Sequence, residues 1–382
     1  MFNHIIIGAG LAGSVIAERI ASHLNEKVLI IEKRNHIGGN CYDCKDKNGI
    51  IVHKYGPHIF HTDYKDVFDY LSNYTDWHVY HHRVLAFIDG KKAPLPFNLN
   101  ALYMLFPKTL AQRIEEKLLN KFVYNSKVPI LELKREEDDD LQFLSNYVYE
   151  KVFLHYTMKQ WGLKPEDIDP KVTARVPVHI SRDDRYFTDK YQGVPIEGYA
   201  KIFERMLDHP NIKLMLNTDF KEVMKMDSER GKVYFLGQEF DGNVIFTGMI
   251  DDLFEYKFGE LPYRSLGLEF KAIERDYFQE TAVVNYPNDY DFTRITEFKH
   301  MHPVESKKTV ILKEYPKAYQ VGSDVPYYPV FKEENIELYN KYKGLAERFK
   351  NIILVGRLAE YRYYDMDDVV KRVLEVFDER IK

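Results

Sequence analysis

One stretch constrains this chain more than any other: His4-Ile5-Ile6-Ile7-Gly8-Ala9-Gly10-Leu11-Ala12-Gly13-Ser14. Ile5 to Ile7 read as a strand buried on both faces, Gly8-x-Gly10-x-x-Gly13 as a turn, and Val15 to Leu24 as a helix. A second strand, Val28 to Ile31, ends on Glu32 and is followed by Lys33. Each part has a physical role. Gly8 permits the turn, Gly10 lets backbone amides approach a pyrophosphate with Ala12 beside it, and Gly13 lets the helix pack close to the strand. The helix N-terminus offers unpaired N–H groups to the anion, and Glu32 can accept hydrogen bonds from an adenosine ribose. The stretch predicts a Rossmann-like dinucleotide site at the head of an α/β chain.

The far end of the chain returns to this theme. Asn351 to Val355 read as another buried strand, closing on Gly356-Arg357; Asp365-Met366-Asp367-Asp368 then opens a helix carrying Val369 and running to Ile381. A last helix aimed by its N-terminus at a flavin pyrimidine stabilises the negative charge of the reduced ring. Ile37-Gly38-Gly39-Asn40, after the second strand, is an extension typical of flavin proteins. Together these favour FAD over NAD. Cys41 and Cys44 are the two cysteines, and with no second pair they read as an ordinary loop, with no metal site and no disulfide framework. A net charge of −5 gives no general attraction for nucleic acid or anionic membrane. No long apolar run and no signal-peptide layout are visible, so a cytoplasmic location is expected.

Between the two ends, 382 residues leave room for two or three domains. Tyr55-Gly56-Pro57-His58-Ile59-Phe60-His61 places two histidines in a Gly-Pro loop that returns toward the cofactor edge. Arg83 to Ile88 read as a strand with a turn at Asp89-Gly90. Asn100 to Phe106, Leu110 to Leu119 and Leu141 to about Gln160 read as helices. The acid run Glu136 to Asp140 complements the dipole of the last of these and needs no partner. Phe153, Tyr156, Thr157 and Trp161 share one helical face, which residue spacing alone reads as core. Pro165, Pro170 and Pro177 bracket a charged segment with Arg175 and then Tyr186, which reads as a mobile surface loop. Ile212 to Leu216, with Phe220 shortly after it, and Asn243 to Phe246 read as further strands. The section from Tyr263 to Leu312 reads as a mostly antiparallel sheet.

With these segments laid out, the chain resembles bacterial UDP-galactopyranose mutases over nearly its whole length. The resemblance is carried by Gly8 to Ser14, Ile37 to Asn40, Gly56 to Thr62, Tyr156 to Gly162, the Arg175 segment and Tyr191 to Pro195. It continues through Asn285-Tyr286, Arg294 to His300, Tyr327 to Pro329 and Gly356 to Met366. The blocks at Arg294 and Gly356 are the specific ones.

The resemblance implies three parts: a discontinuous Rossmann-like FAD domain (1–78, 190–250, 340–382), a helical domain (98–189) with a mobile substrate loop (about 166–187), and a six-stranded antiparallel sheet domain (79–97, 251–339). It implies interconversion of UDP-galactopyranose and UDP-galactofuranose through a covalent adduct of reduced flavin N5 with the sugar, for surface polysaccharides. An external reductant and a homodimer come with it. By position, Phe153 and Tyr156 hold the uracil, while Thr157, Trp161, Tyr186, Asn285 and His82 line the substrate. Arg175 and Arg294 clamp the pyrophosphate, and Tyr328 and Tyr363 supply hydroxyls. His58 lies against the isoalloxazine; Gly39, Asn40, Ile59, Phe220, Arg357, Tyr364, Asp365, Met366 and Val369 belong to the cofactor side. The aromatic stripe then becomes a stacking face and the Arg175 loop a lid. Two other readings stay open: an amine-oxidase-like FAD oxidoreductase, and a non-catalytic protein that binds flavin or UDP-sugar.

Overall fold

The computed structural model describes residues 2–162 and 177–382. Its centre is a parallel sheet in the order Ile212–Met215, Val28–Ile31, His4–Ile7, Asn243–Phe246, Ile352–Leu354. His4 stands beside both Val28 and Asn243, and Ile7 beside both Ile31 and Phe246. Successive side chains leave a strand on opposite faces, so one sequence run feeds two cores. Ile6, Val28, Ile30, Ile245 and Ile353 join a cluster with Val15, Ile16, Val370, Val373 and Phe377 of the first and last helices. Ile5, Ile7, Leu29, Ile31 and Val244 join Phe220, Met249, Tyr342 and Phe349 on the other side. All five coincide with segments that the sequence reads as strands.

A second sheet has seven strands among the described residues, in the order Tyr328–Pro329, Tyr263–Ile273, Thr309–Ala318, Arg294–Glu297, Val283–Asn285, Val84–Ile88, Lys91–Leu95. The expectation of six antiparallel strands is corrected on two points. The short Tyr328–Pro329 edge adds a strand, and Val283–Asn285 runs parallel to Val84–Ile88 because the chain reaches it by a long excursion rather than a hairpin. The helices Leu99–Leu105, Lys108–Lys121 and Asp139–Val148 share one core with this sheet: Leu102, Ile114, Leu118, Leu144 and Val148 pack in the same cluster as Ala86, Ile88, Val283 and Leu312.

The long helix is not uniform. After Asp139–Val148 it passes through a π-helical turn, Tyr149–Leu154, before resuming as His155–Trp161. Such a turn rotates the face that the resumed helix presents. The acid run does find partners, contrary to expectation. Asp138 caps the helix by accepting from the Asp140 and Leu141 amides, and Arg113 and Lys117 both pair with Asp140. These pairs are exposed enough to add little stability.

One long-range cap ties the first segment to the middle of the chain. Asp43, 3 % exposed, accepts from the Tyr199 and Ala200 amides at 2.6 and 2.9 Å and so holds the N-terminus of helix Tyr199–Leu207. Burial outweighs those contacts and raises its pKa from 3.8 to about 6. An acid whose folded pKa is raised lends stability that is complete below the unfolded value and lost as pH rises through the folded one. The unfolding midpoint of wild type relative to Asp43→Asn is therefore expected to fall as pH climbs from 3.8 to about 6. A difference that stays flat across that window in thermal unfolding contradicts it.

Candidate active site

A cavity opens at the carboxyl ends of the parallel strands, where their order reverses. Of the expected cofactor residues, Gly8, Gly10, Ala12, Glu32, Lys33, Gly39, Asn40, His58, Phe220, Gly356, Arg357, Met366 and Val369 line it. Four others stand back. Gly13 packs the helix against the strand, and Ile59 packs on the core shared by the helices and the large sheet. Tyr364 contributes its carbonyl, which accepts from Arg357 Nε at 2.9 Å, and Asp365 is the N-cap of helix Met366–Arg380. Glu32 is 7 % exposed, and its two oxygens accept from the Ala9 and Arg34 amides at 2.8 Å each. It fastens the glycine turn to the second strand while facing the cavity.

Sequence reasoning missed Arg34, Thr218, Thr247 and Tyr327 among the lining residues. Arg34 spans Asn40 Oδ1 at 2.8 Å and the Tyr55 ring at 4.2 Å, leaving its Nη1 buried and without a partner among the described residues. A buried unpaired guanidinium nitrogen is costly unless a ligand oxygen meets it. Only its place two residues after Glu32 could have drawn attention to it. The remaining three come from loops whose approach depends on the fold.

A second group of polar side chains lies on the large sheet. Asn285, Arg294 and Glu314 stand opposite one another on three adjacent strands, and Ala86 continues the row beside Asn285. Same-row side chains share a face, and the small Ala86 leaves space beside the polar three. Arg294 Nε donates to Glu314 at 2.7 Å, with Glu314 1 % exposed. Burial opposes the Arg294 charge, yet Glu314, Tyr156 and Tyr328 outweigh it, so its pKa is raised and the guanidinium stays protonated. Its two terminal nitrogens donate no hydrogen bond among the described residues. Asn285 is 7 % exposed, and its Oδ1 has no partner among the described residues.

Aromatic side chains close around this row. Tyr328 stacks on Tyr363 at 5.5 Å, Trp161 approaches Tyr328 at 6.5 Å, and the Arg357 guanidinium lies 4.8 Å from the Tyr328 ring. Arg357 thereby stands between the dinucleotide cavity and this aromatic group. Tyr186 meets His82 edge-on at 5.8 Å and donates its amide to the His82 carbonyl at 2.7 Å. Burial first, then Arg294 and His61, pull His82 down to about 3, so it is neutral. Burial also pulls His58 down to about 4, with Arg357 and Arg294 adding to it against a Gly56 contact.

The aromatic stripe divides. Tyr156 and Trp161 are half-buried, but Phe153 is 2 % exposed inside the core shared by helices and sheet, and Thr157 is 5 % exposed. For Phe153 the reading from residue spacing holds and the expectation of an open stacking face is corrected. Phe153 lies within the π-helical turn Tyr149–Leu154, and Tyr156 in the helix that resumes after it, close enough to Arg294 for the two groups to interact electrostatically. Arg175 lies outside the described residues. The described end of its loop is anchored: Pro177–His179 pairs with Lys127–Pro129, and Asn98 donates to the Asp183 carbonyl at 3.0 Å.

Residues 151–363 match the family model for UDP-galactopyranose mutase, and residues 6–74 match an NAD(P)-binding Rossmann-like domain. The chain is 39 % identical over 380 residues to a probable UDP-galactopyranose mutase of Klebsiella pneumoniae, covering 99 % of this chain and 94 % of the relative. The chain belongs to the UDP-galactopyranose mutase family. Another relative, a dTDP-fucopyranose mutase of Escherichia coli, is 38 % identical, covering 97 % of this chain and 96 % of the relative. A crystal structure of reduced UDP-galactopyranose mutase shares the fold, with a TM-score of 0.74 at 17 % identity, covering 99 % of this chain and 93 % of the other.

The family's cofactor is FAD, and the cavity fits it on its own geometry. A Cβ on Gly39 would lie 2.7 Å from the Gly10 Cα, so two backbones meet here with no side chain between them. That bare floor, the N-terminus of helix Leu11–Arg19 and the unpaired Arg34 nitrogen suit a pyrophosphate. At the other end, Met366 and Val369 bring the N-terminus of the last helix to the wall.

Proposed function

We propose that this protein interconverts UDP-galactopyranose and UDP-galactofuranose without net redox change, supplying galactofuranose for surface polysaccharides. The observation that carries the reading is the in-register row Asn285, Arg294, Glu314, joined through Arg357 to the dinucleotide cavity of a chain in this family. Reduced FAD, when bound, supplies the nucleophile for the anomeric carbon. The protein's own residues do the rest. Arg294 meets the charge that develops on the departing UDP pyrophosphate, with Arg175 as a second arm and the Tyr328 and Tyr363 hydroxyls as further donors. Tyr156 and Trp161 flank the nucleotide, backed by Phe153 and Thr157. His82, Tyr186 and Asn285 bound the sugar side. His58 keeps a lone pair for the sugar: its Nδ1 lies 2.9 Å from the Gly56 carbonyl, which can only accept, so the proton sits on Nδ1 and Nε2 is free to accept.

The three-part division at 1–78/190–250/340–382, 98–189 and 79–97/251–339 is part of this proposal, with the middle part holding the nucleotide. A reduced cytoplasmic setting agrees with the free thiols of Cys41 and Cys44, and no helix of the described residues is long and apolar enough to cross a membrane. An external reductant and a homodimer complete the reading.

The test incubates dithionite-reduced and oxidised protein with UDP-galactofuranose and follows the sugar by chromatography. Conversion to UDP-galactopyranose in the reduced sample alone is the expected result. A reduced, FAD-loaded sample that converts no nucleotide hexose overturns the proposal, and steady oxygen consumption with an amine points to an oxidoreductase instead. A parallel arm with dTDP-fucopyranose is warranted by the Escherichia coli relative. A higher kcat/KM there keeps the reaction and changes the sugar nucleotide.

A further inference from the structure

Behind the Gly-Pro-His loop lies a buried pair of histidines that the proposed chemistry does not use. His53 is 0 % exposed and His302 is 6 % exposed, 249 residues apart in sequence and 2.8 Å apart between their Nε2 atoms. His53 Nδ1 accepts the backbone N–H of His58 at 2.9 Å. An amide N–H can only donate, so His53 Nδ1 carries a lone pair and its proton sits on Nε2. Nε2–H then donates to His302 Nε2, which leaves the His302 proton on Nδ1. The row of contacts is self-consistent in one arrangement of protons only.

Asp43 stands close enough that the three side chains could be read as a cation site, their ligand atoms lying within 4.8 Å of one another. Three facts speak against it. A metal on His53 Nε2, with Nδ1 still accepting a hydrogen bond, requires an imidazolate, whereas ligating histidines donate from the other nitrogen. Two nitrogens at Zn–N distances of about 2.0–2.1 Å and a tetrahedral angle also stand roughly 3.3 Å apart, and this pair is closer than that. Asp43 is already engaged with the Tyr199 and Ala200 amides.

We infer that His53, held in its Nε2–H form by His302, is a positioning residue that fixes the His58 backbone so that the His58 imidazole meets the reacting end of the cofactor cavity. The inference rests on the proposed function for the role of His58. The surroundings suit that role, since Tyr199 packs edge-on to the His53 ring at 5.6 Å, Phe298 lies at 5.4 Å, and both hold the ring from turning. Burial drives the pKa of His53 well below its usual value and that of His302 down to about 4, so both are neutral. His58, whose Nδ1 is occupied by Gly56, then has its backbone and one ring nitrogen fixed together.

The test uses the FAD-loaded protein. Nitrogen-15 NMR of histidine-labelled samples should show His53 with an unprotonated Nδ1 and His302 with an unprotonated Nε2. His53→Leu should lower kcat on the order of tenfold to a hundredfold, as misplacement of a reacting group does, with KM little changed. His53→Asn keeps an oxygen where Nδ1 stood and should recover most of that loss, which a merely space-filling role would not produce. His302→Leu should weaken that selection, because His53 Nε2–H then loses its acceptor and only the His58 amide still favours the tautomer. A His53 Nδ1 that carries the proton in wild type overturns the inference. So does an Asn variant no better than Leu, or a Leu variant with wild-type kcat. If His53→Leu fails to load FAD, the Asn variant and the NMR spectra decide. A wild-type protein without mutase activity defeats the proposed function, while the tautomer spectra still decide whether His53 holds the His58 loop.

Discussion

Arg294→Ala is expected to lower kcat/KM about a hundredfold or more while FAD stays bound. Removing one preorganised donor to a developing anion costs on the order of a hundredfold to a thousandfold. Arg294 is placed for that role by its strand register, between Asn285 and Glu314. Glu314 takes only its Nε, and the two terminal nitrogens remain for the pyrophosphate. The alanine variant also strands Glu314, 1 % exposed, without its partner, and an uncompensated buried charge destabilises strongly. Two controls separate the effects. Arg294→Lys keeps a charge beside Glu314 but loses the planar fork, so stability should return and activity only partly. Arg294→Ala combined with Glu314→Gln removes the stranded charge and should stay as inactive as the single variant. Steady-state kinetics with flavin content and unfolding midpoints read all three. Near-normal turnover of the alanine variant at full FAD loading refutes the assignment of Arg294.

Gly10→Val should give a folded, colourless protein. A Cβ on Gly10 meets only the Gly39 Cα at 3.6 Å, an ordinary contact, so the fold can accept a side chain there. The branched methyls then stand on the bare floor where the pyrophosphate must lie, and FAD affinity should fall far enough to strip the flavin during purification. Gly13→Ala should do the opposite. Its Cβ would lie 1.9 Å from the Gly8 carbonyl oxygen, so the helix must move off the strand and folding itself should suffer. Flavin absorbance and urea unfolding of the two variants distinguish cofactor loss from fold loss. A yellow Gly10→Val protein with FAD released normally on heating contradicts the pyrophosphate assignment.

The parallel sheet was legible because most of its strands carry apolar runs buried on both faces, whereas the edge strand Ile212–Met215 is interrupted by the exposed Lys213. Ile5, Ile6 and Ile7 all had to be apolar, since neighbours serve opposite cores. The glycine spacing was legible as a motif, although a Cβ on Gly8 would meet Thr247 and one on Gly10 the Gly39 Cα, both from distant segments. The large sheet was less so. Tyr328–Pro329 is too short to carry a pattern, and the parallel pairing of Val283–Asn285 with Val84–Ile88 joins residues far apart in the chain.

Site residues divide along that line. His58, Gly39 and Arg357 stand in short motifs and were found from the motifs. Arg34, Thr218 and Tyr327 were missed because each reaches the cavity only once separate segments converge. Phe153 and Tyr156 lie three residues apart on one predicted helical face, yet Phe153, within the π-helical turn, packs into the core. The sequence by itself determined the dinucleotide turn, most strands of the parallel sheet and the choice of flavin, because those depend on local spacing and residue chemistry. Only the tertiary structure decided that Glu314 faces Arg294, that His302 faces His53, and that Glu32 holds backbone amides. Those are pairings between distant segments, set by strand register and burial, and no local pattern in a chain encodes them.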